Sequence, residues 1–178
     1  LVNPLLASLS VLLAHGITSR LASRDQADLV AMMMGASPWL LAMAASLMPH
    51  TLTLFLMLLA WWLVLRAAES PKGRTRRLVG AGLAIGYLFL TRPIEGATLA
   101  LLAALWLVFG SGGGAGMGLR RAVPFVLGSI GTAILMPVYN CLITGNPLRT
   151  PLIDNLRRGW GAGTADYGFG KEAGADGS

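Results

Sequence analysis

Six apolar runs, separated by short polar stretches, dominate the first 144 residues of the chain. None of the runs alternates between polar and apolar positions, as the strands of a membrane barrel would. Backbone groups in lipid must be satisfied within the crossing segment, so these runs predict transmembrane helices. The predicted segments are 4–17, 29–48, 51–65, 78–91, 94–109 and 122–143. The predicted fold class is therefore all-α, a polytopic transmembrane helix bundle of about six segments, with residues 1–144 as its membrane region.

Proline and glycine positions refine this pattern. Pro38 falls inside the second run and is expected to kink that helix. Gly82 and Gly86 form a small-xxx-small face, which lets another helix approach closely. Gly145 follows the last run and is expected to end its helix. Residues 145–178 are polar and Gly-rich, and we expect them to form an external loop or the start of an external segment.

The composition agrees with a membrane protein and excludes several other classes. The chain is 54% hydrophobic and 12% charged, whereas soluble domains carry roughly 25% charged residues. The net charge of +6 does not indicate nucleic-acid binding, because the bases lie between apolar runs and no aromatic-basic face accompanies them. Cys141 is the single cysteine, so no internal disulfide is possible. No metal signature and no cofactor are predicted.

The basic residues predict an orientation. Nine of the fourteen bases lie in the connections after the first, third and fifth runs, which share one side if the segments alternate. The positive-inside rule makes that side cytoplasmic. The turns at His50 and at Arg92 are then external, and Arg92 is the one base in those short outer turns. We expect an integral protein of the cell (inner) membrane.

The stretch LTRPIEG, residues 90–96, places charges between two apolar runs and has two interpretations. In a helix hairpin turn, Pro93 would occupy the first helical position, Glu95 would favour the positive helix end, and Arg92 would reach toward headgroups. Alternatively, Arg92 binds a phosphate through the bidentate guanidinium fork. The runs 51–65 and 78–91 span only about 22 and 21 Å as helices, less than a hydrocarbon core of roughly 30 Å. That shortfall would place Arg92 in a recess that opens outward.

Other polar and aromatic residues also have two interpretations. His50 could cap a helix N-terminus or form a polar wall of the same recess. Tyr139, in the outer half of the sixth run, could face lipid or the recess. The tail could be a disordered linker or an ordered outer loop whose aromatic residues, Trp160 among them, contact the membrane surface or a substrate. His15 is interpreted as a packing residue.

The beginning of the chain carries an expectation of its own. It starts at Leu1, and its first residues lack a basic leader and a cleavage site, so they do not resemble a signal peptide. We therefore expect the chain to be an internal piece of a longer protein.

Three stretches together resemble a known group of enzymes: SPWLLAMAASLMPHTLTLFLMLLAWWLVLR, LTRPIEGATLALLAALWLV and PVYNCLITGNPLRTP. They are similar to the middle of multi-spanning membrane glycosyltransferases of the GT-C fold class, the protein mannosyltransferase and aminoarabinose transferase-like superfamily (glycosyltransferase family 39-like). The resemblance implies transfer of a sugar from a polyprenyl-phosphate carrier to an acceptor on the outer face. It also implies an acidic base in the first outer loop. That base is expected upstream of Leu1, so this piece alone is expected to be inactive, and Asp154 and Asp166 have no further support as bases.

The resemblance implies roles for several residues. Arg92 would contact the donor phosphate, with His50 as its neighbour and Arg149 as a weaker candidate in the tail. Possible external-face contacts are Glu95, Tyr139 and Trp160. The expected partners are membrane lipid and the polyprenyl-phosphate-linked sugar donor. A transporter or flippase component, and a structural membrane module without a site, are the alternative functions.

Overall fold

The computed structural model describes residues 2–46, 49–110 and 115–151. Within these ranges the secondary structure is helical and contains no strand, which confirms the predicted all-α class. The helices are α1 (Val2–Leu21), α2 (Arg24–Gly35), α3 (Pro38–Ala45), α4 (His50–Glu69), α5 (Arg74–Thr91), α6 (Pro93–Leu105), α7 (Ala115–Ala133) and α8 (Leu135–Thr144), and a π-helical turn, Trp106–Gly110, continues α6.

The chain forms two compact units, Leu1–Ala133 and Ile134–Ser178. In the first unit α5 is central and packs most extensively against α4 and α7. Seven of its residues are buried, among them Leu78, Ile85 and Leu88. In the second unit a turn follows α8, and the buried Asn140 of α8 donates a hydrogen bond from Nδ2 to Pro147 O in that turn (3.1 Å).

Four helical stretches are long and apolar enough to cross a membrane, and a bent helix pair would make five. The four stretches are Val2–Leu21, His50–Glu69, Pro93–Gly110 and Gly118–Thr144. The described residues therefore confirm a polytopic helical membrane protein, but they do not confirm six spans. Helix α5 falls outside this set because its first turn carries three arginines.

Two predicted segments were too short. Helix α4 has 20 residues and α5 has 18, which correspond to about 30 and 27 Å. The apolar runs end before the helices do, because residues 66–69 continue α4 and residues 74–77 begin α5. The helices are therefore longer than the apolar runs from which their lengths were predicted, and a recess at Arg92 stays a prediction.

The second predicted span is broken at its proline. Helices α2 and α3 meet at an angle of 53°. Ser37 is extended and caps α3, accepting a hydrogen bond from Leu40 N (3.5 Å), and Pro38 follows at the first helical position. The predicted bend at Pro38 is thus confirmed. It is a break between two helices rather than a kink within one.

Glycines allow α5 and α7 to cross at close range. A Cβ atom placed on Gly82 would lie 2.8 Å from Ser129 N and 3.0 Å from Gly128 Cα. A Cβ on Gly86 would come 2.9 Å from Thr132 Cβ. The predicted small-residue face is therefore used, and it lets the two backbones pack directly.

Basic residues meet at one end of the first unit. Arg20, near the end of α1, forms an ion pair with Glu69 at the end of α4 (3.1 Å). The ring of Trp62 lies 5.9 Å from the guanidinium of Arg20 and 5.1 Å from that of Arg66, within the range of cation–π interactions.

The arginines at the start of α5 complete this end. Arg74 donates to Ala67 O (2.9 Å) and Arg77 to Arg66 O (2.8 Å). These carbonyls belong to the last turn of α4 and have no partner within the helix. The guanidinium groups thus provide hydrogen-bond donors for the terminal carbonyls of α4. Their positive charge also interacts favourably with the partial negative charge at that helix end.

Candidate functional site

Arg92 is the single residue that separates α5 from α6. Its backbone N–H donates to Leu88 O (2.8 Å), and its carbonyl accepts from Gly96 N (2.9 Å). Pro93 disfavours the helical conformation in the preceding residue, and Arg92 indeed leaves the helix, with φ −144° and ψ 87°. Pro93 takes the first position of α6 and Glu95 lies in the first turn, as the hairpin interpretation predicts.

Close packing fixes this hairpin. Gly96 is buried, and a Cβ there would lie 2.5 Å from Phe89 Cα and 2.6 Å from Phe89 N. The glycine therefore lets the first turn of α6 rest directly on the last turns of α5. As a result the position of Arg92 is set by the backbone of both helices.

Two side chains hold the guanidinium group of Arg92. Nη1 donates to Glu95 Oε1 (2.8 Å), and Nη2 lies 2.5 Å from His50 Nδ1. The side chain of Arg92 is 29% exposed and that of Glu95 is 47% exposed. His50 is the first residue of α4, so the cluster connects α4 to the α5–α6 hairpin.

The chain around His50 is also anchored by polar contacts. Thr51 is buried and donates from Oγ1 to Met43 O in α3 (3.2 Å). Asn3, near the start of α1, donates from Nδ2 to Ser46 O (2.5 Å). These contacts gather the start of α1, the end of α3 and the start of α4 near the cluster. Because Arg66 and Glu69 lie at the other end of the 20-residue α4, the cluster and the basic residues occupy opposite ends of the unit.

The arrangement can bind an anion. A guanidinium carries five N–H donors, and the contacts with Glu95 and His50 engage two of them. The remaining donors of Arg92 can address oxygens of a phosphate or carboxylate in a fixed geometry. The carboxylate of Glu95 balances the charge of the arginine and helps to orient it.

An apolar cavity of about 420 Å³ lies beside the break between α2 and α3. Leu54, four residues after His50 and so on the same face of α4, contributes to its wall. The lining residues are Val30, Met33, Met34, Ser37, Trp39, Leu40 and Leu54. This cavity was not predicted from the sequence, in which its visible signal is the methionines beside a helix-breaking proline.

The roles of the other predicted site residues stay predictions. Tyr139 and Arg149 belong to the second unit; Tyr139 is exposed, and Arg149 O accepts from Thr144 Oγ1 (3.0 Å). Trp160, Asp154 and Asp166 lie outside the described residues. His15, interpreted as a packing residue, is half-buried and its Nε2 lies 2.9 Å from Asp28 Oδ1.

These features define a helical integral membrane protein with an oriented arginine between two of its helices. The family model described as "Dolichyl-phosphate-mannose-protein mannosyltransferase" matches residues 1–140. The chain belongs to this family of membrane glycosyltransferases of the GT-C type. This membership favours the predicted transferase over a transporter, a flippase component or a structural module. No curated protein and no solved structure matches the chain.

Proposed function

We propose that the protein takes a sugar from a polyprenyl-phosphate carrier and transfers it to an acceptor on the outer face of the membrane. Family membership supports the transferase activity and a lipid-linked donor. The observation that carries the proposal further is the guanidinium of Arg92, which His50 and Glu95 hold in one orientation. In this proposal Arg92 binds the carrier phosphate.

The surroundings of Arg92 suit a phosphodiester. The group is partly buried, where an ion pair is stronger than in water because the effective dielectric constant is lower. Two neighbours orient the guanidinium before the donor arrives, so less side-chain entropy is lost on binding. Glu95 acts here as a positioning carboxylate and is not proposed as the catalytic base.

The neighbouring cavity supports a donor that is both charged and apolar. A polyprenyl carrier has a phosphate at one end and a long isoprenoid chain. The cavity beside the α2–α3 break is lined mainly by apolar side chains, and its Leu54 lies one helical turn from His50. We propose that the first isoprene units occupy this cavity while the phosphate meets Arg92.

Substitution of Arg92 tests the proposal in the intact protein reconstituted in nanodiscs. A hydrogen bond to a charged group contributes about 1.5–3 kcal/mol. Loss of that contact in Arg92→Ala should therefore weaken binding of a polyprenyl-phosphate-sugar by roughly 10- to 150-fold. Arg92→Lys should recover part of the affinity, because it keeps the charge and loses the fork.

Arg76→Ala is the matched control, since Arg76 is an exposed arginine at the other end of α5. It should bind the donor as the wild type does. The variants are compared at equal expression and equal thermal stability, so that misfolding is excluded. If Arg92→Ala retains wild-type donor affinity and turnover, Arg92 is a membrane anchor and the proposal fails.

A further inference from the structure

We infer that His50 is a positioning residue for Arg92, and that protonation of His50 releases the arginine and weakens binding of the carrier phosphodiester. The inference rests on the proposed function, in which Arg92 binds that phosphate. It assigns His50 a role through Arg92 rather than a contact of its own with the donor.

A hydrogen bond between Arg92 and His50 requires one particular protonation state of the imidazole. Arg92 Nη2 lies 2.5 Å from His50 Nδ1 and 3.5 Å from Nε2, so Nδ1 is the partner. A guanidinium has donors only and stays charged in proteins. The Nδ1 atom must therefore accept the hydrogen bond with its lone pair. This requires a neutral imidazole whose proton is on Nε2.

Protonation of His50 removes this contact. An imidazolium has a donor at both ring nitrogens and no acceptor, and it places a second positive charge directly against Arg92. The guanidinium then keeps only Glu95 as its partner. The guanidinium then loses the orientation that the contacts with His50 and Glu95 provide together. Its remaining N–H groups no longer point toward the phosphate. Carrier binding should therefore be strong when His50 is neutral and fall as the pH is lowered.

Few other charges act on His50 from the described elements. Arg92 and Glu95 face it from the α5–α6 hairpin. Helix α3 contains no titratable side chain. In α1 the titratable residues are His15 and Arg20, in the half away from Asn3, and the other charged residues of α4 and α5 lie in the basic end. The response to pH is thus concentrated in the His50–Arg92 pair.

Two substitutions separate positioning from mere bulk. His50→Asn places an amide oxygen near the position of Nδ1 and keeps an acceptor that does not titrate. His50→Ala removes the acceptor. The measurement is the dissociation constant for a polyprenyl-phosphate-sugar in nanodiscs across about pH 5 to 8, the range in which histidine usually titrates. A phosphodiester probe is used because its charge does not change there.

The expected results form a clear pattern. Wild-type affinity falls on acidification. His50→Asn binds within about twofold of the wild type at high pH and shows no such fall. His50→Ala binds roughly 2- to 12-fold more weakly at high pH, as the loss of one hydrogen bond implies. His15→Asn, a change at the second histidine of the chain, keeps the wild-type pH profile.

Two outcomes overturn the inference and are distinct from failure of the proposed function. If Arg92→Ala weakens binding but His50→Ala does not, His50 does not position the arginine. If His50→Asn keeps the wild-type pH profile, the titrating group is elsewhere. If Arg92→Ala itself binds normally, the proposed function fails, and this inference fails with it.

Discussion

The close crossing of α5 and α7 predicts a large effect from a very small substitution. In Gly82→Ala the added carbon would lie 2.8 Å from Ser129 N and 3.0 Å from Gly128 Cα, and nearer still to Phe125 O. All three neighbours are backbone atoms, which cannot rotate away as a side chain would. The two helices must therefore separate, and the contacts on either side of the crossing weaken with them.

The magnitude follows from the cost of overpacking. Extra methyl or methylene groups in a well-packed interior typically destabilise by about 1–3 kcal/mol. For a chain of 150–250 residues, each kcal/mol lowers the unfolding midpoint by roughly 2–4 °C. We therefore expect Gly82→Ala to unfold about 2–12 °C below the wild type.

Gly80→Ala is the matched control on the same helix. Its added carbon would meet only Leu63 Cδ1, at 3.4 Å, which is an ordinary contact with the end of a flexible side chain. Alanine also favours a helix over glycine by about 0.8–1.0 kcal/mol in water. Gly80→Ala should therefore be as stable as the wild type or slightly more stable.

Thermal unfolding in nanodiscs, followed by tryptophan fluorescence, gives the comparison. Trp61 and Trp106 contact each other edge to face, with ring centroids 6.4 Å apart, and they report on the packing of the first unit. A thiol dye is unsuitable because Cys141 is exposed in the folded protein. Equal midpoints for Gly82→Ala and Gly80→Ala would refute the packing argument.

Further predictions concern orientation and the basic end. On a Cys141→Ser background, Lys72→Cys should react with an impermeant reagent only from the cytoplasmic side and Ala45→Cys only from outside; the reverse pattern would contradict the proposed topology. Trp62→Leu should destabilise by about 1–2 kcal/mol, since two cation–π contacts of about 0.5–1 kcal/mol are lost, and an unchanged unfolding midpoint would argue against them. Glu69→Gln should cost no more than about 1 kcal/mol, because the ion pair with Arg20 is partly exposed, as urea or thermal unfolding can show.

The apolar runs and the positions of prolines and glycines were enough to predict the helical class, the bend at Pro38 and the small-residue face at Gly82. The proximity of His50 and Arg92 also follows from alternation, because the start of one span and the end of the next lie on the same side. Their role in donor binding stays a prediction. These features depend on the local sequence and on the requirement that each segment cross the membrane. Both can be recognised from the sequence before the tertiary structure is known.

Helix ends were not predictable in the same way. Residues 66–69 of α4 and 74–77 of α5 contain charged side chains, so the apolar runs end before them. The helices continue because these charges find partners in other elements. Arg77 caps α4, and Glu69 pairs with Arg20. Likewise, Glu95 lies in the first turn of α6 as predicted, but its ion pair with Arg92 was not predicted. Such contacts depend on tertiary packing, which a single sequence does not reveal.

The central place of α5 has a consequence for how the protein is made. Helix α1 is apolar enough to cross a membrane, and only a small share of it is buried inside the protein. Helix α5 carries three arginines and buries its glycine face against α7, which begins at residue 115, whereas α5 begins at residue 74. Until α7 emerges, that face has only lipid to contact, which cannot fill the glycine notch. We therefore expect α5 to insert stably only together with its neighbours. Synthesis of α7 would then precede stable insertion of α5.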